Sequence, residues 1–220
     1  MELYIIFNSF TCLCAMIGFV YGIVHIFKSK RPMYFIMIVA SVGVTAFCRL
    51  YEVVYMWIAG EYFRGFHIGI LGTIGTFLFV FTASFGAMDS LGDDGSEKLK
   101  KYRFIALIAP LIIAMAYVPI LMSQATTMVK ICLGMICLVI SMSSYYNLKH
   151  LIIPDVDYGI IKCIRAYNLL MLINGVFHMY ELIGIAFNTN VFLYISSSCI
   201  AIVSLLVVPV LKRGAEKWVI

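Results

Sequence analysis

The sequence predicts an all-α membrane domain in which seven helices cross the bilayer, and three features of the chain lead to this fold class. Of its 220 residues, 63% are hydrophobic and only 12% are charged, whereas a soluble domain needs roughly a quarter of its residues charged. Seven apolar stretches reach the length of a spanning helix, which is about 20 residues. The basic residues lie mostly in alternate connections between these stretches. One membrane domain, 1–220, is therefore expected, with the lipid bilayer as the partner of most of its surface.

The seven spans are predicted at about 3–27, 33–59, 66–87, 104–122, 128–148, 160–187 and 191–211. Pro32 and Pro154 fall in the connections before the second and sixth spans, where a proline interrupts no helix. The first stretch starts at Leu3 without a basic segment ahead of it, and it is longer than the apolar core of a signal peptide. We therefore expect it to be retained as a helix.

The basic residues orient the predicted bundle. Eleven lysines and arginines lie in the connections and tail on one side: Lys28, Lys30, Arg31, Lys98, Lys100, Lys101, Arg103, Lys149, Lys212, Arg213 and Lys217. The opposite side has only Arg64 and Lys130. Since cytoplasmic loops carry the excess of Lys and Arg, we predict a multi-pass protein of the cell membrane with its N-terminus outside and its C-terminus in the cytoplasm. Because the cations are explained in this way, no nucleic-acid partner is expected.

An internal duplication is predicted from two similar segments. The second span contains Thr45-Ala-Phe-Cys-Arg49-Leu-Tyr51-Glu52, and the sixth contains Asn174-Gly-Val-Phe-His178-Met-Tyr180-Glu181. Each segment has a polar residue, then Arg or His four residues later, then Tyr-Glu. This similarity predicts two parallel repeats of three helices, at about 1–87 and 128–211, joined by a linker helix at 104–122, which is a 3+1+3 plan.

The same segments hold the candidate site, because they place four ionisable side chains at membrane depth: Arg49, Glu52, His178 and Glu181. Such residues cost about 2.5–3.5 kcal/mol or more each at the bilayer centre, and by default they mark a functional site. Thr45 and Asn174 share the helix faces of these residues, at the spacing i, i+4, i+7. If the two faces meet, Arg49 is expected to pair with Glu181. Glu52 is then expected to pair with His178.

The depth of the two glutamates predicts where the polar centre opens. Both lie six or seven residues from the predicted outer helix ends, which is about 10 Å at 1.5 Å per residue. The centre is therefore expected to open toward the outside as a ligand-binding pocket, with Tyr51 and Tyr180 near its lining. The alternative is a buried ion-pair cluster that only fixes the helix register. A metal site is not expected, because one His-x-x-Glu pair on a helix is a weak signal.

Small residues in the third span predict close helix packing. Gly65, Gly69, Gly72 and Gly75 recur at intervals of three or four residues, and this spacing lets neighbouring backbones approach each other.

Several protein classes are excluded by missing motifs. The seventh span has no lysine that could hold retinal as a Schiff base, and no pair of intramembrane histidines is placed to bracket a haem. No cofactor is therefore expected. The chain also lacks a P-loop, a Gly-x-Ser-x-Gly motif and an HExxH motif. No catalytic residue is assigned.

The segment Arg49-Leu50-Tyr51-Glu52-Val53 resembles a feature of the seven-helix input regions that precede many bacterial sensor histidine kinases. Those regions have this length and this orientation. The resemblance implies a sensor-like module. Since no kinase domain follows Leu211, it also implies signalling through a separate partner protein. The 3+1+3 plan, in turn, is similar to that of SWEET and PQ-loop carriers, which implies transport.

Three functions are therefore compatible with the sequence. The first is a receptor that binds a small ligand from outside. The second is a small-solute transporter, in whose proton-coupled form Glu52 and Glu181 titrate. The third is an intramembrane enzyme acting on lipid or isoprenoid, with Glu181 or His178 as general base.

Overall fold

A computed structural model describes residues 2–27, 32–60, 67–154 and 160–218 of the chain. Over these residues the protein is helical, without a strand, and seven helices are long and apolar enough to cross a membrane. They span Leu3–Phe27, Met33–Ala59, Ile68–Gly86, Glu97–Met122, Thr127–Ile152, Ile161–Phe187 and Asn190–Gly214. The predicted number and positions of the spans are confirmed at this level.

Two spans are longer than predicted, each for a local reason. The fourth begins at Glu97 instead of about 104, because a 3₁₀ turn, Glu97–Leu99, and a short helix, Lys100–Ala106, precede its apolar part. The fifth continues to Ile152 instead of about 148. Its last polar residues stay helical because Lys149 and His150 are buried and contact Asp89.

Sequence chemistry accounts for the other irregularities of the helices. Helical backbone breaks at Leu107 and resumes with Ile108–Met122, because Pro110 has no N–H to bond the carbonyl of Ala106. The second helix ends at Gly60, whose φ of 70° is the left-handed conformation that glycine adopts without steric cost. The first and third spans end in π-helical turns, Ile23–Phe27 and Ala83–Met88.

Six of the spans pack as a closed ring. Contacts join the first span to the second, the second to the third, the third to the fifth, the fifth to the sixth, the sixth to the seventh, and the seventh back to the first. The fourth span lies outside this ring, against the fifth and sixth. As a result the second and sixth helices face each other across the interior, where only their side chains meet.

The surface of the seven-span bundle is apolar, as a lipid-facing surface must be. Large hydrophobic side chains point outward all along it, with Trp57 82%, Ile58 80% and Phe104 76% exposed. The end of the bundle that holds residues 2, 60, 67 and 187 is called the N-terminal end below. The opposite end, which holds residues 27, 33, 97 and 152, is called the C-terminal end.

Candidate functional site

Three ionisable side chains meet inside the ring near the N-terminal end, and we call Arg49, Glu52 and Glu181 the charge cluster. The two terminal nitrogens of Arg49 donate to the two carboxylate oxygens of Glu181, at 2.6 Å (Nη1–Oε1) and 2.5 Å (Nη2–Oε2). Arg49 Nη1 also lies 3.0 Å from Glu52 Oε2. The expected contact between Arg49 and Glu181 is therefore present, in the two-pronged geometry that gives the strongest arginine–carboxylate pairs.

The first span completes the cluster with two residues that sequence reasoning missed. The Asn8 side chain donates to Glu52 Oε2 at 3.2 Å and accepts from Arg49 Nη1 at 3.4 Å. The Tyr4 hydroxyl donates to Glu181 Oε1 at 3.5 Å. Asn8 offers a usable signal, because it is a carboxamide within a predicted span, and buried amides need partners.

The cluster is buried and its formal charges do not balance. Only 3% of Arg49, 7% of Glu52 and 4% of Glu181 is exposed. One guanidinium faces two carboxyl groups, so the cluster carries one net negative charge when both carboxyls are ionised. An uncompensated charge in a dry interior is costly. A proton on one carboxyl, or a cation drawn into the site, would remove that cost.

His178 does not contact Glu52, so the second expected pair is not formed. Its ring nitrogen Nδ1 lies 2.9 Å from the backbone oxygen of Asn174, one turn earlier on the same helix. The ring packs edge-on against Phe77, with centroids 4.9 Å apart. Glu52 is held by Asn8 and Arg49 instead, since the first span packs directly against the second.

The remaining predicted polar residues lie around the cluster without closing it. Thr45 lies 3.0 Å from Thr76 of the third span, oxygen to oxygen. The side-chain oxygen of Asn174 has no hydrogen-bond partner among the described residues. Of the two tyrosines in the Tyr-Glu pairs, Tyr51 stacks on His67, whereas Tyr180 is 44% exposed and stacks on Phe192. The tyrosine that contacts a cluster carboxylate is Tyr4.

The polar centre is also covered, which differs from the open pocket that was expected. Tyr4, Met56 and Leu193 form a small apolar group, exposed by 4%, 1% and 6%. Met56 lies one turn beyond Glu52 on the second helix, so the group sits between the cluster and the N-terminal end. A ligand arriving from that end would have to displace these side chains.

Two glycines of the third span, Gly69 and Gly72, allow its close contact with the second. A Cβ at Gly72 would lie 2.6 Å from the Cβ of Cys48, and one at Gly69 would overlap the Glu52 carboxylate. Gly75 is less tightly placed, because its Cβ would meet Val44 at an ordinary 3.4 Å. Gly65 lies outside the described residues.

A second ionic network ties the connection after the third span to the fourth and fifth spans. Lys149 Nζ lies 2.5 Å from Asp89 and 2.7 Å from Asp93. Arg103 Nε donates to Asp93 at 2.8 Å, and Arg103 Nη2 donates to the Ser96 carbonyl at 2.6 Å. From the sequence, Lys149 and Arg103 are expected only to orient the bundle in the membrane. In the structure they also hold the Asp89–Ser96 connection against the bundle.

The same contacts lower the pKa of Asp93. Burial of the carboxyl raises its pKa, but hydrogen bonds from Lys149, Arg103 and the Gly95 amide outweigh burial and lower the pKa to about 2. Asp93 is therefore ionised at any physiological pH, as its pairing with Lys149 and Arg103 requires.

Comparisons with known proteins add no family to this picture. No family model, no curated protein and no solved structure matches the chain. Within the described ranges no group of three or more His, Cys, Asp or Glu residues is placed to hold a metal ion. The assignment of a role therefore rests on the geometry of the charge cluster.

Proposed function

We propose that this chain is a receptor-like membrane module in which the charge cluster responds to a small ligand from outside. The observation that supports this is the position of Arg49: one buried guanidinium links the second span to the sixth through Glu181, and Asn8 of the first span closes the same network. A change at this single group would release contacts among three helices. The distribution of lysines and arginines supports the orientation, with the N-terminal end outside.

The charge imbalance indicates which ligand chemistry fits. A site with two carboxyls and one guanidinium favours one additional positive charge, so we propose a small monocation such as a protonated amine. Such a ligand would bind the carboxylates in competition with Arg49. It shifts the helices only if it binds the separated arrangement better than the closed one.

The proposed output is the C-terminal end of the bundle, which would act on a separate signalling or membrane partner protein. The second and third helices run from the charge cluster toward the connection held by Lys149 and Arg103. Movement of these helices would change how Asp89 and Asp93 are presented at that end.

Ligand-dependent thermal stability tests this proposal. The protein in lipid nanodiscs is unfolded with methylammonium, ethanolamine or choline, and with ethylene glycol as the neutral counterpart. A specific cation at 100 times its Kd stabilises the folded state by about 2.7 kcal/mol. We expect a rise in Tm with one of the cations that is lost in Glu52→Gln. Glu97→Gln is the matched control, because the Glu97 side chain is 84% exposed and far from the cluster.

The receptor proposal is contradicted if none of the cations shifts the Tm of the parent protein differently from that of Glu52→Gln. If a cation binds but no partner protein responds to it, ligand binding is supported and the signalling role is contradicted.

A proton-coupled transporter of 3+1+3 design is the second candidate, and one observation favours it. The ring of contacts is unchanged when the first, second and third spans are exchanged with the fifth, sixth and seventh, as a duplicated architecture requires. Solute uptake into proteoliposomes that follows an imposed pH gradient, and that fails in Glu52→Gln, would replace the receptor proposal with this one.

A further inference from the structure

The C-terminal half of the ring interior contains a group of buried polar atoms that the proposed function does not use. Each lacks a hydrogen-bond partner within the described part of the chain: the hydroxyls of Tyr34, Ser84 and Tyr167, both amide atoms of Asn168, Asn147 Oδ1 and His150 Nδ1. All six residues are at most 2% exposed. We call them the inner polar group.

Members of the inner polar group come from different helices, and two of them are in contact. The rings of Tyr34, on the second span, and Tyr167, on the sixth, pack edge to face with centroids 6.1 Å apart. Both belong to an apolar cluster that includes Ala83 of the third span, and Ser84 follows Ala83 in the chain. Asn168 follows Tyr167 directly. The second, third and sixth spans therefore each contribute unpaired polar atoms to the interior of this half of the bundle.

The fifth span carries the other two members of the group, Asn147 and His150. A Cβ at Gly92 would lie 2.5 Å from Ile161 and 3.9 Å from His150, and Ile161 belongs to the apolar cluster that contains both tyrosines. Asn147 lies one turn before His150 on the fifth helix. Through His150, whose Nε2 lies 3.3 Å from Asp89 Oδ1, the inner polar group adjoins the ionic network at the C-terminal end.

Leaving this many polar atoms unpaired would be incompatible with a stable fold. Each buried donor or acceptor without a partner costs the full desolvation of that group, and folded domains have only a small margin of stability. Native proteins satisfy almost all such atoms with protein groups or bound molecules. Asn168 is the extreme case, because it is 0% exposed and both of its amide atoms are unpaired.

We propose that the inner polar group is a binding site for small neutral molecules that both donate and accept hydrogen bonds, either water or a polyol. Hydroxyl and carboxamide groups offer both roles, which this ligand class matches. The charged neighbours satisfy each other, since Asp89 pairs with Lys149. Arg165 leaves Nε unpaired but is only half-buried, and its Nη2 donates to the Ile153 carbonyl. The site does not depend on the charge cluster being a receptor centre.

Removing single polar atoms tests occupancy through the sign of the stability change. If a bound molecule satisfies the Tyr167 hydroxyl, Tyr167→Phe loses a hydrogen bond, and Tm falls by about 2–4 °C. If the hydroxyl is unpaired, the same substitution removes a desolvation cost and Tm rises. Asn168→Leu tests occupancy in the same way, through the sign of its Tm change, and does not depend on the tyrosine. Tyr102→Phe is the matched control on a half-buried tyrosine outside the group, and we expect it to leave Tm unchanged.

Two further measurements identify the bound molecule. Radiolytic hydroxyl-radical labelling should modify Tyr34 and Tyr167 several-fold faster than the equally buried Phe77 if water occupies the site. Titration with glycerol should raise the Tm of the parent protein more than that of Asn168→Leu if a polyol binds, since the general effect of glycerol is common to both proteins.

The proposal is overturned if Tyr167→Phe and Asn168→Leu are both as stable as the parent protein or more stable. It is equally overturned if the tyrosines label no faster than Phe77 and glycerol acts alike on parent and variant. In either case a failure here leaves the receptor proposal intact, because Glu52→Gln tests a different set of atoms.

Discussion

Arg49 carries the only positive charge that contacts the two buried carboxylates in the described structure, and three helices depend on it. Glu181 accepts from both of its terminal nitrogens, and Glu52 accepts from one of them. Because the pair is desolvated, its net benefit to stability is small compared with the penalty for breaking it. Removing one partner therefore has a larger effect than the contact itself contributes.

Replacing Arg49 by methionine should be strongly destabilising. Two buried carboxyl groups would lose their counter-charge, and breaking a buried pair in this way costs about 3–5 kcal/mol. Unfolding of the purified protein in mild detergent measures the loss. The control is the double variant Arg49→Met with Glu181→Gln, which should recover a substantial part of it. Equal stability of the single and double variants would contradict this account, because removing the Glu181 charge would then relieve no part of the penalty.

At the level of helices, the contact between the second and third spans depends on which residues of the third span are glycines. The backbone of the third span approaches Cys48 closely at Gly72, and the Cys48 thiol donates to the Gly69 carbonyl at 2.8 Å. Gly75 is the next glycine along the same helix, and it has room for a methyl group. The glycines are regularly spaced, but they differ in how much the helix contact depends on them.

Gly72→Ala and Gly75→Ala should consequently have different effects. The added methyl at Gly72 would overlap Cys48, and overpacking of this kind costs about 1–3 kcal/mol. Gly75→Ala meets only an ordinary contact and gains helix propensity, so it should be neutral or slightly stabilising. Thermal unfolding of both variants side by side makes the comparison. If the two alanines behave alike, the helix contact is not governed by Gly72.

The ionic network of the Asp89–Ser96 connection should make stability depend on pH in acid. The pKa of Asp93 is about 2 in the folded protein and about 3.9 for an unperturbed carboxyl. The folded state therefore binds fewer protons, and its advantage is complete above about pH 4 and disappears as pH falls toward 2. Unfolding measured between pH 5 and pH 2 should show a loss of stability that is smaller in Asp93→Asn. Parallel pH curves for the two proteins would rule out this contribution.

For the molecule as a whole, the apolar exterior and the uneven distribution of cations predict how the bundle sits in the membrane. Lys98 and Gln124 are both exposed and lie at opposite ends of the fourth span. In a cysteine-free background, a membrane-impermeant maleimide should label Gln124→Cys in intact cells. Lys98→Cys should react only after permeabilisation. The reverse pattern would place the N-terminal end in the cytoplasm and remove the basis for an external ligand.

The two repeats remain a prediction at this scale. Their sequence similarity covers the second and sixth spans, whose polar residues behave differently in the structure. Arg49 enters the charge cluster, whereas His178, at the matching position, contacts its own helix and Phe77. If the chain arose by duplication, the two halves have since acquired separate roles.

Sequence alone determined the class of fold, the number of spans and most helix ends, because apolar length, proline and glycine act locally. It also identified Arg49, Glu52 and Glu181, since a charge inside an apolar run is conspicuous wherever the helix lies. The pairing of Arg49 with Glu181 was expected from the sequence, but only the tertiary structure decided the remaining partners of these groups. Which side chains meet depends on the order of helices around the ring and on the rotation of each about its axis. That order placed Asn8, and not His178, beside Glu52, and it buried the unpaired amide of Asn168, because residue spacing within one helix does not determine which neighbouring helices its faces meet.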